Sequence, residues 1–255
     1  MHVVKTKQRS AERWLKAELH SHCSLDPIDY RVCSYSPERL IAEAARLGYD
    51  VLGITCHNRD IWSCELSEYA ESLGITLIPG MEVSTEERRH VLAYNFRTGS
   101  ENLNTLAKIR ERSREDTLAI APHPYFPGRV CLRGLLKQNI DIFDAIENSG
   151  FQVPGFDFNR RARKTAHSHQ KPVVGNGDVH MLWQLGKTFT WIYSERDVAS
   201  ILRAVKRGRV RVETTLLTYP EAARFWATII WRYVFPINAA PTQGVGGLGI
   251  EQLTD

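Results

Sequence analysis

The sequence lacks the features that mark several classes of protein. Its five cysteines, at positions 23, 33, 56, 64 and 131, are an odd number without zinc-finger or CxxC spacing, which indicates a reducing compartment and predicts a cytoplasmic protein. No apolar run predicts a signal peptide or is long enough to span a bilayer. A formal net charge of +4 over 255 residues is small for a nucleic-acid-binding protein. These absences argue against a secreted, membrane-spanning or DNA-binding protein.

Short β-branched runs alternate with segments of helical periodicity. The predicted strands span residues 17–20, 51–55, 76–79, 91–95, 118–121, 142–147, 172–175 and 188–193. The clearest helix starts after Ser36, a typical N-cap, has Pro37 in its first turn and stops at Gly48. Further helices are predicted in 64–74, 101–116, 156–170 and 195–209. This alternation is typical of an α/β fold with a mostly parallel sheet.

Metal-ligating residue types lie beside these strands. His20 and His22 are two apart on an extended segment, so their side chains point to the same side. The other such residues are His57, Glu82, His90, His123, Glu147, Asp178 and His180. In a parallel α/β barrel the C-terminal ends of the strands form the active site, and nitrogen and oxygen donors suit Zn, Mn or Fe. The pattern therefore predicts a metal site.

The simpler alternative at each position is an ordinary buried or exposed residue. A single buried histidine is more often hydrogen-bonded in the core than bound to metal. Glu147 suits a carboxylate that supports a ligand from behind. His90 is the least typical, because it precedes its strand. His167 and His169 also have HxH spacing, but they lie in a helical pattern where such residues diverge, so we interpret them as a surface helix end.

Taken in order, these segments resemble a known family. ELHSH, GITCHN, IPGMEVS, RHVLAYNF, APHPY and GNGDVH resemble the motifs of the polymerase-and-histidinol-phosphatase (PHP) domain over roughly residues 17–210. The resemblance implies a distorted (β/α)7 barrel of the PHP type, with a C-terminal helical extension. It also implies two or three divalent metal ions and hydrolysis of phosphate esters by a metal-activated water. We expect an N-terminal extension at 1–16, the barrel at 17–215, an amphipathic helix at 216–238 and a flexible tail at 239–255.

The resemblance also assigns roles to individual residues. One ion would be held by His20, His22, Glu82 and Asp178; a second would share Glu82 and take His90 and His123; a third would use Asp26, His57 and His180. Asp29 is the alternative to Asp26, because the loop between ELHSH and the acid is shorter than usual. Apart from these assignments, we predict that His57 or His180 is the catalytic acid beside the leaving group. The metals implied are Mn, Zn or Fe.

Cys56 departs from the family pattern, which has Asp before the histidine of GITCHN. A thiol is a softer donor than a carboxylate and its pKa falls near a cation. Cys56 would act either as a smaller residue behind the ligands, which we favour, or as a ligand that changes the preferred metal. It is also the main argument for a degenerate, binding-only PHP domain. A hydrolase of carbon–nitrogen bonds is a further alternative, but no lysine follows a strand here.

The modest charge favours a small phosphorylated molecule or nucleotide as substrate over long nucleic acid. Basic runs at 160–164 and 206–211 could attract anions, although a solvated helix face is the favoured interpretation. In the C-terminal helix, Trp226, Ile229, Ile230, Tyr233 and Val234 are spaced to form one face. That face would cover the barrel or, alternatively, a membrane surface or a second copy of the chain.

Overall fold

The computed structural model describes residues 11–96 and 102–235, so the predicted tail and most of the predicted N-terminal extension lie outside the described residues. The strands are β1 (Arg13–Ser21), β2 (Val51–Ile54), β3 (Thr76–Ile78), β4 (Gly80–Ser84), β5 (His90–Tyr94), β6 (Leu118–Ala121), β7 (Ala145–Ser149), β8 (Val173–Asn176), β9 (Thr188–Ser194) and β10 (Val210–Thr214). The predicted α/β fold is confirmed. β1 begins four residues before the predicted strand, and β4 and β10 were not predicted.

The helices are α1 (Pro37–Arg46), α2 (Cys64–Ser72), α3 (Leu106–Arg112), α4 (Gly134–Gln138), α5 (Arg160–Ser168), α6 (Val198–Lys206) and α7 (Tyr219–Val234). The start of α1 is as predicted, because the Ser36 side chain accepts a hydrogen bond from the Arg39 amide and Pro37 occupies the first turn. Leu40, Ile41 and Ala44 form its buried stripe. Such stripes pack the helices against the sheets and hold the strands in place.

The strands form two five-stranded sheets, in the orders β10-β9-β1-β2-β3 and β4-β5-β6-β7-β8. Of the eight ladders among the described strands, four are parallel and four are antiparallel. The expectation of a mostly parallel sheet is therefore wrong. β9 and β10 run antiparallel to their neighbours, as does β5, which follows β4 after a short turn.

Two isolated bridges join the sheets. Ser21 at the end of β1 pairs with Val179 after β8, and His57 after β2 pairs with Glu82 in β4. Only Pro79 separates β3 from β4, so the chain passes directly from one sheet to the other. Within residues 11–96 and 102–235 the ladders form two sheets linked in this way, and a closed (β/α)7 barrel stays a prediction.

The C-terminal helix α7 buries only part of the predicted face. Ile230 and Val234 are both 61% exposed. Ile229 is half-buried, and the ring of Trp226, although 52% exposed, lies 5.5 Å from the ring of Phe151. Contact with a second copy of the chain stays a prediction. None of the helices among the described residues combines the length and apolar character that a bilayer span requires, and the cytoplasmic location stays a prediction.

Candidate metal centre

The strands bring all nine predicted ligands to one edge of the two sheets. The sequence had indicated that Glu82 follows a strand, but Glu82 lies within β4. His90 opens β5, which runs antiparallel to β4 and pairs there with Ser84. The start of a reversed strand lies at the same edge as the ends of its neighbours, and His90 therefore reaches the site. The others end or follow strands: His20, His22, Asp26, His57, His123, Asp178 and His180.

Glu82 is the centre of the cluster and is 1% exposed. Its Oε2 lies 3.3 Å from Nε2 of His20, 3.5 Å from Nε2 of His22 and 3.2 Å from Nε2 of His57. Its Oε1 lies 2.7 Å from Nδ1 of His90 and 3.3 Å from Nε2 of His123. Burial alone would raise the pKa of Glu82, but the histidines outweigh it and hold the pKa well below its usual range. The carboxylate thus divides the histidines into two groups.

Asp178 faces the same histidines from the other side. Its Oδ1 lies 3.3 Å from Nε2 of His20 and 3.4 Å from Nε2 of His22. Nε2 of His22 is buried and has no hydrogen-bond partner, although it lies between the carboxylates of Glu82 and Asp178. A buried polar nitrogen that lacks a hydrogen bond and faces two carboxylates has the surroundings of a metal ligand.

Asp26 and Asp29 both reach the site. The sequence had suggested one or the other as the acid of the third ion, but both side chains lie beside its histidines. Asp26 lies 2.8 Å from Nδ1 of His22 and 3.0 Å from Nδ1 of His57. Asp29 lies 3.1 Å from Nε2 of His180 and 3.4 Å from Nδ1 of His57. The geometry therefore brings His180 to Asp29 and not to Asp26. Burial opposes the charged form of His180, but Asp178 and Asp29 raise its pKa to about 9.

The donors form five groups whose ligand atoms lie within 4.8 Å of one another. These groups are His22–Asp26–Asp29–His57, His20–His22–Glu82, His20–His123–Asp178, His22–Asp178–His180 and His57–Glu82–His90. All ligands are imidazole nitrogens or carboxylate oxygens, which suit Zn, Mn or Fe. The residues present fit a centre for more than one divalent ion.

Comparison with known families agrees with the order of these motifs. The model of the PHP domain matches residues 18–144, and a second model, described as PHP-associated, matches residues 156–210. The chain belongs to the PHP domain family. Helix α7 lies beyond both matched segments.

The PHP chain also resembles individual proteins. An uncharacterized protein of Methanocaldococcus jannaschii is 26% identical over 151 residues, covering 53% of this chain and 85% of the relative. The crystal structure of PsfC from Pseudomonas syringae matches with a TM-score of 0.59 at 17% identity, over 87% of this chain and 99% of the other. This match shows a shared fold.

Two further solved structures fall below a TM-score of 0.5. One, from Bifidobacterium adolescentis and provisionally named a metal-dependent phosphoesterase, has a TM-score of 0.46 at 15% identity, over 65% of this chain and 87% of the other. The second, an amidohydrolase from Chromobacterium violaceum, has 0.49 at 15% identity, over 64% and 87%. With TM-scores this low, neither match distinguishes phosphate-ester hydrolysis from amide hydrolysis.

Glu147 lies next to two of the predicted ligands, and its supporting role behind them stays a prediction. Its Oε1 lies 3.1 Å from Nδ1 of His20 and accepts a hydrogen bond from Asn176, while Oε2 accepts one from the His123 amide. Carboxylates in this position fix the orientation of ligating imidazoles. For His123 the group behind the ring is Cys131, whose Sγ lies 3.5 Å from Nδ1. Nothing in the sequence pattern had singled out Cys131.

Cys56 is not placed as a ligand. Its Sγ lies 3.6 Å from Sγ of Cys23, and both side chains are buried in an apolar cluster. None of the donor groups among the described residues includes a cysteine. His167 and His169 are exposed at the end of α5 and belong to no donor group either, as their helical spacing had predicted.

Two residues of the centre have unusual backbone conformations. The φ angles of His123 and Asp178 are 28° and 49°, in the left-handed region that side chains rarely adopt. Such conformations cost roughly 1–3 kcal/mol each and persist where surrounding contacts impose them. Hydrogen bonds hold the backbone at both sites: Glu147 accepts one from the His123 amide, and Gln184 donates one to the carbonyl of Asp178.

Glu18 is a buried acid that our sequence interpretation missed. Its Oε1 accepts a hydrogen bond from the His20 amide at 2.9 Å, and its Oε2 accepts one from the Gly177 amide at 2.9 Å. It thereby joins the two segments that carry HxH and Asp178. Burial raises the pKa of Glu18 to about 8, despite these two donors. The sequence pattern could have identified Glu18, because Glu18, His20 and His22 alternate along one extended segment and so lie on the same side of it.

We expect Glu18→Ala to lower the free energy of unfolding by about 2–4 kcal/mol, because it leaves two buried amides without acceptors. Glu18→Gln should cost about half as much, about 1–2 kcal/mol, because its side-chain amide keeps one acceptor oxygen and leaves one of the two buried N–H groups facing an NH2 group. Urea unfolding followed by circular dichroism measures both. Equal losses in the two variants would contradict this role.

Proposed function

We propose that this PHP protein is a metal-dependent phosphoesterase that hydrolyses a small phosphorylated molecule or nucleotide. The observation that supports it best is Glu82, a buried carboxylate with imidazole nitrogens within 3.5 Å of both oxygens. A carboxylate so surrounded is suited to bridge two ions. Family membership supports hydrolysis, and the modest net charge supports a small substrate.

We assign two or three divalent ions, Mn, Zn or Fe, to this centre. His20, His22, Glu82 and Asp178 would hold one. Glu82 would share a second with His90 and His123. A third would lie among Asp26, Asp29, His57 and His180, where Asp29 is added to the set that the resemblance implied. Such ions supply a positive charge that acidifies bound water and neutralises phosphoryl oxygens.

His180 is the better of the two candidates for the catalytic acid because it is the more exposed, at 13% of its side chain against 5% for His57. Like His57, it has carboxylates near both ring nitrogens: Nε2 lies 3.1 Å from Asp29 and Nδ1 lies 3.5 Å from Asp178. Asp29 would hold the imidazolium in place and stabilise its charge. A proton from His180 would pass to the leaving alkoxide. In this role His180 would not ligate the third ion, which Asp26, Asp29 and His57 would hold.

A degenerate, binding-only PHP domain is the alternative function. Its main support was Cys56, yet the thiol lies against Cys23 in an apolar cluster. The five donor groups among the described residues are therefore formed without a ligand from position 56. This arrangement favours the enzyme over the alternative.

The first test is metal content, measured by elemental analysis of protein purified without a histidine tag. We expect two or three equivalents of Mn, Zn or Fe in the wild type and loss of most of them in a His20→Ala/His22→Ala variant. The wild type should hydrolyse 4-nitrophenyl phosphate when the metal is added. His167→Ala/His169→Ala removes the exposed HxH pair and is the matched control. Absence of metal from the wild type after reconstitution would overturn the proposal.

A further inference from the structure

A groove of about 700 Å³ opens beside the metal centre. This volume is within the range of small-molecule sites, about 300–1,000 Å³. Its walls come from the loop before α1, from α1 itself, from the loop after β8 and from α7. The lining residues that matter here are Ser34, Arg39, His180, Trp183, Arg224 and Arg232.

The groove is positively charged. Arg39, Arg224 and Arg232 line it together, and no acidic residue is among its lining residues. Arg39 also attracts the carboxylate of Glu43, which does not line the groove. The Arg224 guanidinium lies 5.7 Å from the Trp183 ring centroid, and Arg232 donates a hydrogen bond to the carbonyl of Arg31. Three guanidinium groups in a groove lined by no carboxylate favour an anionic ligand.

His180 is shared by the groove and the metal centre. Its Nε2 faces Asp29 in the centre, while the residue also lines the groove. Phe225 of α7 packs against His180, with ring centroids 6.5 Å apart. A phosphate ester held at the metals would therefore extend its leaving group past His180 toward the arginines.

Two of the arginines come from α7. Arg224, Thr228 and Arg232 are four residues apart, so they form one stripe on the helix, and all three line the groove. Because α7 lies beyond the segments matched by the family models, the family itself does not account for this stripe. The spacing of this stripe is visible in the sequence, but our sequence interpretation considered only the apolar face of the helix.

We infer that the groove selects substrates whose leaving group carries a second phosphate, held by Arg39, Arg224 and Arg232. The inference rests on the proposed phosphoesterase function, and it narrows the substrate to a small bisphosphorylated molecule. The phosphoryl group to be cleaved lies at the metal centre, and the second phosphate lies between α1 and α7. Guanidinium groups match phosphate oxygens in charge and in hydrogen-bond geometry.

Binding tests the groove separately from turnover. Propane-1,3-bisphosphonate and propylphosphonate differ by one phosphonate, and their C–P bonds resist a phosphoesterase. By isothermal titration calorimetry on the protein as purified, we expect the bisphosphonate to bind at least about tenfold more tightly, about 1.4 kcal/mol. Arg224→Gln/Arg232→Gln should remove this preference. Equal affinities in the wild type, or a preference that survives the double substitution, would overturn the inference.

Arg207→Gln is the control. Arg207 is an exposed arginine that follows α6, next to the loop where Arg209 pairs with Glu12 before β1. This is the edge of the sheets opposite to the metal centre. The control should keep the wild-type preference for the bisphosphonate, which separates the groove from a general loss of positive charge.

Turnover tests the same selectivity in the reaction. We expect kcat/KM for fructose 1,6-bisphosphate to exceed that for fructose 6-phosphate at least about tenfold, about 1.4 kcal/mol. In Arg224→Gln/Arg232→Gln the ratio of the two values should fall to near one. A selective groove without hydrolysis of any phosphate ester would overturn the phosphoesterase and leave the anion site. Hydrolysis without selectivity would overturn the anion site and leave the phosphoesterase.

Discussion

Glu82→Gln is expected to lower kcat/KM for phosphate esters at least about 1,000-fold, equivalent to ~4 kcal/mol of transition-state stabilisation. Both oxygens of Glu82 face histidines, so the native carboxylate can serve two ions at once. An amide has one acceptor oxygen and no charge, and it cannot bridge them. Metal content, measured on the same sample, should fall by at least half.

Glu71→Gln is the matched control for this substitution, because Glu71 is an exposed residue of α2. It should keep the metal content and turnover of the wild type. If Glu82→Gln retained its metal and worked within about tenfold of the wild type, the bridging role of Glu82 would be wrong. If Glu82→Gln loses metal but keeps the circular dichroism spectrum of the folded protein, its loss of turnover is due to the metal centre and not to unfolding.

The metal-free protein is expected to lose at least about 3 kcal/mol of its unfolding free energy between pH 6.5 and 9, the contribution of His22 alone. Burial and the charge on His180 oppose the charged form of His22, but Asp178 and Asp26 outweigh them and raise its pKa to about 9. A histidine whose folded pKa exceeds its unfolded value stabilises the fold below the unfolded pKa, and this contribution disappears as the pH rises through 9. His180, with its pKa raised to about 9, and Glu18, with its pKa raised to about 8, also bind a proton more tightly when folded and add to the loss.

Divalent metal should reverse this trend. Ligating imidazoles must be deprotonated, so metal affinity, and with it the stability of the loaded protein, increases over the same pH range. Urea unfolding at pH 6, 7, 8 and 9, with a chelator or with added manganese, measures both slopes. His22→Gln should flatten the metal-free slope, whereas His167→Gln, at an exposed position of α5, should not. A metal-free protein that becomes more stable toward pH 9 would contradict the charge arrangement described here.

The residue types of the site were predictable because they follow local rules. Alternation along β1 places His20 and His22 on one side, and ordered motifs assigned His57, His123 and Asp178. The position of His90 required the direction of β5, which depends on pairing with β4 and β6 and not on the residues of β5 alone. For the same reason Glu82 was expected after a strand, although a new strand, β4, begins directly after Pro79 and contains Glu82.

Contacts that depend on loop conformation were harder to predict from the sequence. The roles of Asp26 and Asp29 follow from a turn in which Asp26 accepts hydrogen bonds from the amides of Ile28 and Asp29. That turn moves Asp29 toward His180, and a count of loop residues cannot show it. The exposure of Ile230 and Val234 in α7 was not predictable, because apolar spacing identifies a face of a helix but not its partner.

The ligands of the centre come from both sheets. β1 and β2 lead to His20, His22 and His57, while the other sheet carries Glu82 and leads to Asp178. Neither sheet holds a complete set, so the centre exists only after the two have met during folding. A metal ion that binds only the folded arrangement stabilises it more strongly the higher its concentration is relative to its dissociation constant. Bound metal would therefore hold the two sheets together and oppose their separation on unfolding.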